Sequence, residues 1–212
     1  MEDHLEYPSG EKPQATLVVT GIRTCLTMAA GGEGPAIGEV QEQVGDLPDA
    51  AIAARGENLI YVGPANRLPA TIRVASDAVR VDAGGGVVLP GFIDCQVNGG
   101  GGVMFNDQPT PDSIAKIIEA HRTFGTTGLL PTLISDEWDV MQSAVEAVRS
   151  TLKSGLPGLL GLHFEGPYLN LQNRGAHAKN KIRPIDRGLL ELMGTNDLGR
   201  VVMTLAPEMV PT

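Results

Sequence analysis

The stretch TPDSIAKIIEAHRTFGTTGLLPTLIS, residues 110–135, holds one turn of a repeating design. Thr110 is a capping residue, Pro111 a first-turn proline and Asp112 a first-turn acid, and Ile114, Ile117, Ile118, His121 and Phe124 follow at helical spacing until Gly125 stops the helix. GLLPTLIS, residues 128–135, is then an apolar run of strand length. The same alternation continues on both sides. Upstream, VVLPGFIDCQV (residues 87–97) reads as a buried strand that ends in the loop NGGGGVMFNDQPT. Downstream, residues 135–153 read as a helix with Val140, Ala144, Val145, Val148 and Leu152 on one face and Gly155-Leu156-Pro157 after it. GLLGLHFEG is a third strand, residues 187–193 a third helix and RVVMTLAPE a fourth strand. Apolar strands alternating with helices predict an α/β fold with a parallel sheet covered by helices.

Before residue 89 the rhythm is different. ATLVVTGI, AAIAARGENLIYVG and TIRVASDAVRVDA are short β-type runs, with a turn at Gly56-Glu57-Asn58. Residues 29–48 between the first two are Gly-rich and acidic and read as a long loop or hairpin. The expected organisation is a flexible tail at 1–14, a small β domain at 15–88 and a β/α region at 89–212.

Composition narrows the function classes. The 212 residues include 27 Gly and 15 Pro, but 42% are hydrophobic and 19% charged, which suits a chain that buries a core. A net charge of −9, no Lys/Arg run and only four Phe, three Tyr and one Trp argue against a nucleic-acid partner. Cys25 and Cys95 form no C-x-x-C pair and read as reduced thiols of a cytoplasmic protein. The polar, acidic start MEDHLEYPSGEKPQ lacks the features of a secretory signal, and no apolar run is long enough to span a membrane.

In a parallel β/α array the loops after the strands share one face, where sites are built. Gln96 and Asn98 end the first strand two residues apart, His163 and Glu165 end the third in the same way, and Glu208 follows the fourth. A carboxylate at a strand end is either a ligand or acid/base group, or a satisfied structural acid. Gln96 and Asn98 either orient water or substrate by hydrogen bonds or cap the strand end and order the glycine loop. The run Gly99–Gly102 lacks the Lys-Ser/Thr of a P-loop and reads as a loop permitting close approach at the mouth of the site.

GLHFEGPYLN, with PGFIDCQVNGGGGVMFND before it and NRGAHAKN and TLAPEMVP after it, strongly resembles the N-acetylglucosamine-6-phosphate deacetylases of the amidohydrolase superfamily. The resemblance runs from about Val87 onward, in order and at family-like spacing, whereas LIYVGPANRLP is similar to imidazolonepropionases. It implies the N-terminal portion of such an enzyme, a partial TIM-type (β/α)8 metal-dependent hydrolase barrel after a small β-sandwich-like domain. It also implies hydrolysis of N-acetylglucosamine 6-phosphate to glucosamine 6-phosphate and acetate. One divalent metal ion, zinc or iron, would polarise the amide and activate water. Glu165 is the implied metal ligand, with Ala176, His177, Gln96 and Asn98 touching the amino-sugar phosphate and His163 packed beneath Glu165 as its support. Gln96-Val97-Asn98 replaces the His-x-His of two-metal relatives, which implies a single metal.

The remaining polar residues carry blander expectations. His121 reads as a packing residue, His4 lies in the tail, Asp94 is structural or a support for the site, and Arg174, Lys179 and Arg183 read as solvated charge near His177. The catalytic aspartate and two metal-binding histidines of the family are expected beyond Thr212, so the chain reads as an incomplete form, a homodimer when full length. The alternatives are an amidohydrolase for another substrate, imidazolonepropionase-like or for a related amino sugar, and a non-catalytic remnant that dimerises through an open sheet edge.

Overall fold

The structure, a computed structural model, describes residues 11–29 and 36–209. His4 and most of the expected tail therefore lie outside the described residues, as do residues 30–35 of the expected loop. The chain divides into two compact units, Met1–Pro90 and Gly91–Thr212.

In the first unit, β1 (Gln14–Leu26), β2 (Asp46–Arg55), β3 (Asn58–Pro64), β4 (Arg73–Asp82) and β5 (Val87–Val88) form one five-stranded sheet. Its order is β3-β2-β1-β4, with β5 also pairing to β1; β2 is antiparallel to its neighbours and β4 parallel to β1. A short helix, α1 (Leu68–Thr71), precedes β4, and Leu68 and Ile72 pack on Ala15, Val18, Ala51 and Ala53. A second sheet, which a sandwich requires, is not among the described residues of this unit. The 29–48 segment is more regular than a loop. Gly38–Glu42 is a 3-10 turn, and Asp46 already pairs with Leu26.

The second unit carries the alternation read from the sequence. Its strands are β6 (Phe92–Val97), the two-residue β7 (Gly99–Gly100) and β8 (Val103–Met104), then β9 (Thr126–Ile134), β10 (Gly161–Glu165) and β11 (Arg200–Thr204). The helices are α2 (Pro111–Arg122), α3 (Trp138–Ser154) and α4 (Arg187–Met193). β6, β9, β10 and β11 make a curled parallel sheet in which consecutive strands are neighbours. Thr110 caps α2 as its sequence predicts, its hydroxyl accepting from the Ser113 N–H at 3.2 Å. Ile114, Ile117 and Ile118 of α2 and Met141, Ala144, Val145 and Val148 of α3 close over Leu129, Leu133, Leu162 and Phe164 of the sheet. Each such fully buried large side chain contributes about 1.5–3 kcal/mol.

Three expectations need correction. VVLPGFIDCQV is not one buried strand. Val87–Val88 joins the sheet of the first unit, and β6 begins only after Pro90, with Phe92 57% and Ile93 65% exposed. Among the described residues β6 is an edge strand, paired only with β9, so its apolar residues lack cover. α3 starts at Trp138 rather than Ser135. Residues 135 and 136 are engaged elsewhere: Asn106 grips Ile134 and Asp136, and Ser135 is turned to another partner. Phe124, placed on the buried face of α2 by periodicity, lies past the helix end and is exposed.

Candidate functional site

A cavity of about 660 Å³ opens where β9, β10 and β11 end, within the range of small-molecule sites. Asn98, Asn106, Ile134, Glu165, Ala176, His177 and Thr204 are among its lining residues.

Glu165 is the last residue of β10, so its carboxylate leaves a rigid strand rather than a loop. Asn98 Nδ2 donates to its Oε2 at 3.3 Å, and His177 Nε2 stands 3.7 Å from its Oε1. His177 is reached from a different part of the chain, the loop after β10, and it is buried rather than a surface histidine. Arg174 holds that loop: its guanidinium donates to the His177 carbonyl, and the His177 N–H donates to the Arg174 carbonyl. The Arg174 side chain therefore serves the turn that presents His177 instead of standing free in solvent.

Ser135 is the site residue that sequence reasoning missed. Its Oγ lies 2.9 Å from His177 Nδ1 and its backbone N–H points to the same nitrogen at 3.4 Å. A backbone N–H can only donate, so Nδ1 is an acceptor and the neutral ring carries its proton on Nε2, facing Glu165 and the cavity. The one available signal was a polar residue at the end of an apolar strand, which looked like a helix start.

The other residues singled out from the sequence fall as follows. Ala176 lines the cavity beside His177. Gln96 is exposed on the edge strand and is not among the cavity's lining residues. The hydrogen bonds of the His163 ring go to threonines: its Nδ1 is 3.1 Å from Thr132 Oγ1 and its Nε2 2.9 Å from Thr204 Oγ1. Burial pushes its pKa down, and the Glu165 charge only partly opposes this, which favours the neutral ring. Asp94 accepts the Gln96 N–H at 3.0 Å, a local turn contact. Glu208 accepts from Asn170 at 3.0 Å, which lowers its pKa, and it is exposed. Lys179 is exposed, while Arg183 stacks over Trp138 at 5.6 Å and lies 3.6 Å from Asp186.

The glycine run makes its close approach to protein. Gly99–Gly102 forms β7 and the two-residue turn of the β7–β8 hairpin against α2, and His121 Nε2 sits 3.1 Å from the Gly99 carbonyl oxygen. Gly101 and Gly102 both have positive φ, +60° and +82°, as a two-residue hairpin loop demands.

As a metal site the donor set is short. One carboxylate and one imidazole converge here, and among the described residues no group of three potential ligands exists. Catalytic zinc takes three protein ligands, so these residues do not by themselves fit such an ion.

A strand-end carboxylate and amide and a loop imidazole thus converge at one end of a parallel β/α sheet. Comparison with known proteins shows what the chain is similar to. No family model matches the chain. An N-acetylgalactosamine-6-phosphate deacetylase from Shewanella sp. is 47% identical over 125 residues, 59% of this chain and 32% of that protein. An N-acetylglucosamine-6-phosphate deacetylase from Haemophilus influenzae is 35% identical over 162 residues, 76% of this chain and 41% of that protein. The crystal structure of N-acetylglucosamine-6-phosphate deacetylase from Pasteurella multocida superposes with a TM-score of 0.73 at 28% identity, covering 91% of this chain and 45% of that one. The chain is therefore similar, in sequence and in fold, to a portion of the N-acetylglucosamine-6-phosphate deacetylases, and it spans less than half the length of these relatives.

Proposed function

We propose that this chain forms the substrate-facing part of an enzyme of amino-sugar catabolism that hydrolyses the acetamido group of N-acetylglucosamine 6-phosphate, releasing acetate. The convergence of Glu165, Asn98 and His177 at one strand-end cavity carries the reading, and the names of the relatives supply the substrate class. The sheet is read as the first half of a (β/α)8 barrel, residues 89–212, after a small β domain at 15–88. His177, held at Nδ1 by Ser135, offers its Nε2–H to a sugar or carbonyl oxygen. Asn98 fixes one oxygen of Glu165 and leaves the other toward His177. In this reading Glu165 is one ligand of a divalent ion, zinc or iron, with the remaining ligands outside the described residues.

Titration calorimetry of the 212-residue chain with N-acetylglucosamine 6-phosphate tests the proposal. Saturable binding that His177→Asn weakens about tenfold is expected, as loss of one directed hydrogen bond would give. No binding, or binding indifferent to His177→Asn, overturns it. The higher identity to an N-acetylgalactosamine-6-phosphate deacetylase favours a second reading, the 4-epimer as substrate. The same titration decides, because tighter binding of the galacto sugar moves the assignment to it.

A further inference from the structure

We infer that Thr132, His163 and Thr204 form a one-directional hydrogen-bond relay that positions Asn98 against Glu165, with His163 held as its Nε2–H tautomer. The inference rests on the reading of Asn98 and Glu165 as the site.

The relay begins at an irregularity in β6. Pairing with β9 steps from Asp94 opposite Leu129 to Val97 opposite Pro131, so β6 carries one extra residue there. Pro131 has no N–H to give to a ladder. Beside it, the Val97 N–H donates to the side chain of the next residue, Thr132 Oγ1, at 2.8 Å. That oxygen is then an acceptor, and its own proton has two destinations, the Leu130 carbonyl at 3.5 Å and His163 Nδ1 at 3.1 Å. The imidazole is the better placed. With Nδ1 accepting, the proton of the neutral ring sits on Nε2, which donates to Thr204 Oγ1 at 2.9 Å.

The path crosses all four strands, from β6 through β9 and β10 to β11. Val97, Thr132 and His163 are 3%, 0% and 3% exposed, so water cannot replace a broken link among these three, whereas Thr204, at the end of the relay, is exposed at the cavity. Asn98 follows Val97 directly, and its amide lies 3.3 Å from Glu165, two residues beyond His163 on β10. Both ends of the Asn98–Glu165 contact are thus tied to the same relay. His163, Thr132 and Thr204 are positioning residues in this arrangement.

The test is long-range ¹H–¹⁵N correlation on the full chain with labelled histidine, which reads the tautomer without any need for deacetylase activity. The Nε2–H pattern is expected for His163, and an Nδ1–H pattern overturns the inference. Thr132→Val removes the hydroxyl at nearly constant shape. It should raise hydrogen exchange at the Val97 amide about tenfold or more and move the Asn98 side-chain NH₂ resonances, whereas Thr132→Ser keeps both as in the parent. An unchanged Val97 and Asn98 in a folded Thr132→Val chain also overturns the inference. If that variant fails to fold, the tautomer of the parent and its retention in Thr132→Ser decide. Sugar-phosphate binding is a separate measurement, so failure of the relay and failure of the proposed function are distinguishable.

Discussion

Ser135 Oγ stands 2.9 Å from His177 Nδ1, linking the end of β9 to the loop after β10. Both side chains are buried, at 3% and 7% exposure, so neither can exchange this bond for one to bulk water. Ser135→Ala should therefore leave Nδ1 with only the long contact to the residue's own N–H and cost about 1–3 kcal/mol of stability. Urea unfolding of the two chains measures it. A change near zero would mean that the ring finds another partner and that Ser135 does not set its orientation.

The glycines of the β7–β8 turn differ in what surrounds them. A Cβ on Gly101 would stand 2.9 Å from the Lys116 carbonyl oxygen of α2, at φ +60°, whereas one on Gly102 would meet nothing within 4 Å, at φ +82°. Gly102→Ala should cost about 1–2 kcal/mol from backbone conformation alone. Gly101→Ala adds the clash with α2 and should cost more. Equal unfolding midpoints for the two variants would show that the hairpin is not pressed on the helix as described.

Asp136 gives the acid side of the stability profile a definite sign. Burial pushes its carboxyl pKa up, but the Asn106 amide, the Glu137 N–H and Lys181 Nζ at 3.2 Å outweigh that and hold it below the usual value. The unfolded chain then binds the proton more readily than the folded one. The contribution is fully present above about pH 4, the unfolded carboxylate range, and fades as pH falls through the lower folded value. Asp136→Asn should lose about 0.5–1.5 kcal/mol at neutral pH. The gap should shrink toward the acid limb. A gap independent of pH would remove Asp136 as its source.

Among the described residues the edge of the parallel sheet is open on β6, where Ile93 is 65% exposed and pairs only toward β9. Ile93→Lys should reduce concentration-dependent self-association, because a charge on an edge strand opposes pairing with another chain. Folding stability should change by no more than about 0.5 kcal/mol. Sedimentation velocity over a range of concentrations reads the first effect. Unaltered association would show that another surface is responsible.

The fold class was legible because its signals are local. The cap at Thr110, the isoleucine spacing of α2 and the apolar run of β9 each depend on residues within a few positions of one another. Arg187–Met193 was bounded to the residue by the same logic. Edge strand β6 reads as buried from sequence alone, since an apolar run looks alike whether one neighbour covers it or two. The start of α3 lies later than its sequence pattern predicts because Ser135 is committed to His177, and Asn106 to Ile134 and Asp136, by contacts that no local pattern announces.

The candidate site divides along the same line. Glu165, Asn98 and His177 were marked as functional candidates by their place at strand ends or by motif. The sequence by itself determined the alternation of strand and helix, the capped and terminated helices and the polar residues at strand ends, since each follows from side-chain period and backbone stereochemistry. Only the tertiary structure decided which of those polar residues meet. It brought Ser135 to His177 and turned His163 toward Thr132 and Thr204 instead of Glu165. It left Gln96 outside the cavity lining. The reason is physical: a side-chain hydrogen bond needs atoms within about 3 Å, and only strand pairing and helix packing bring residues distant in sequence that close.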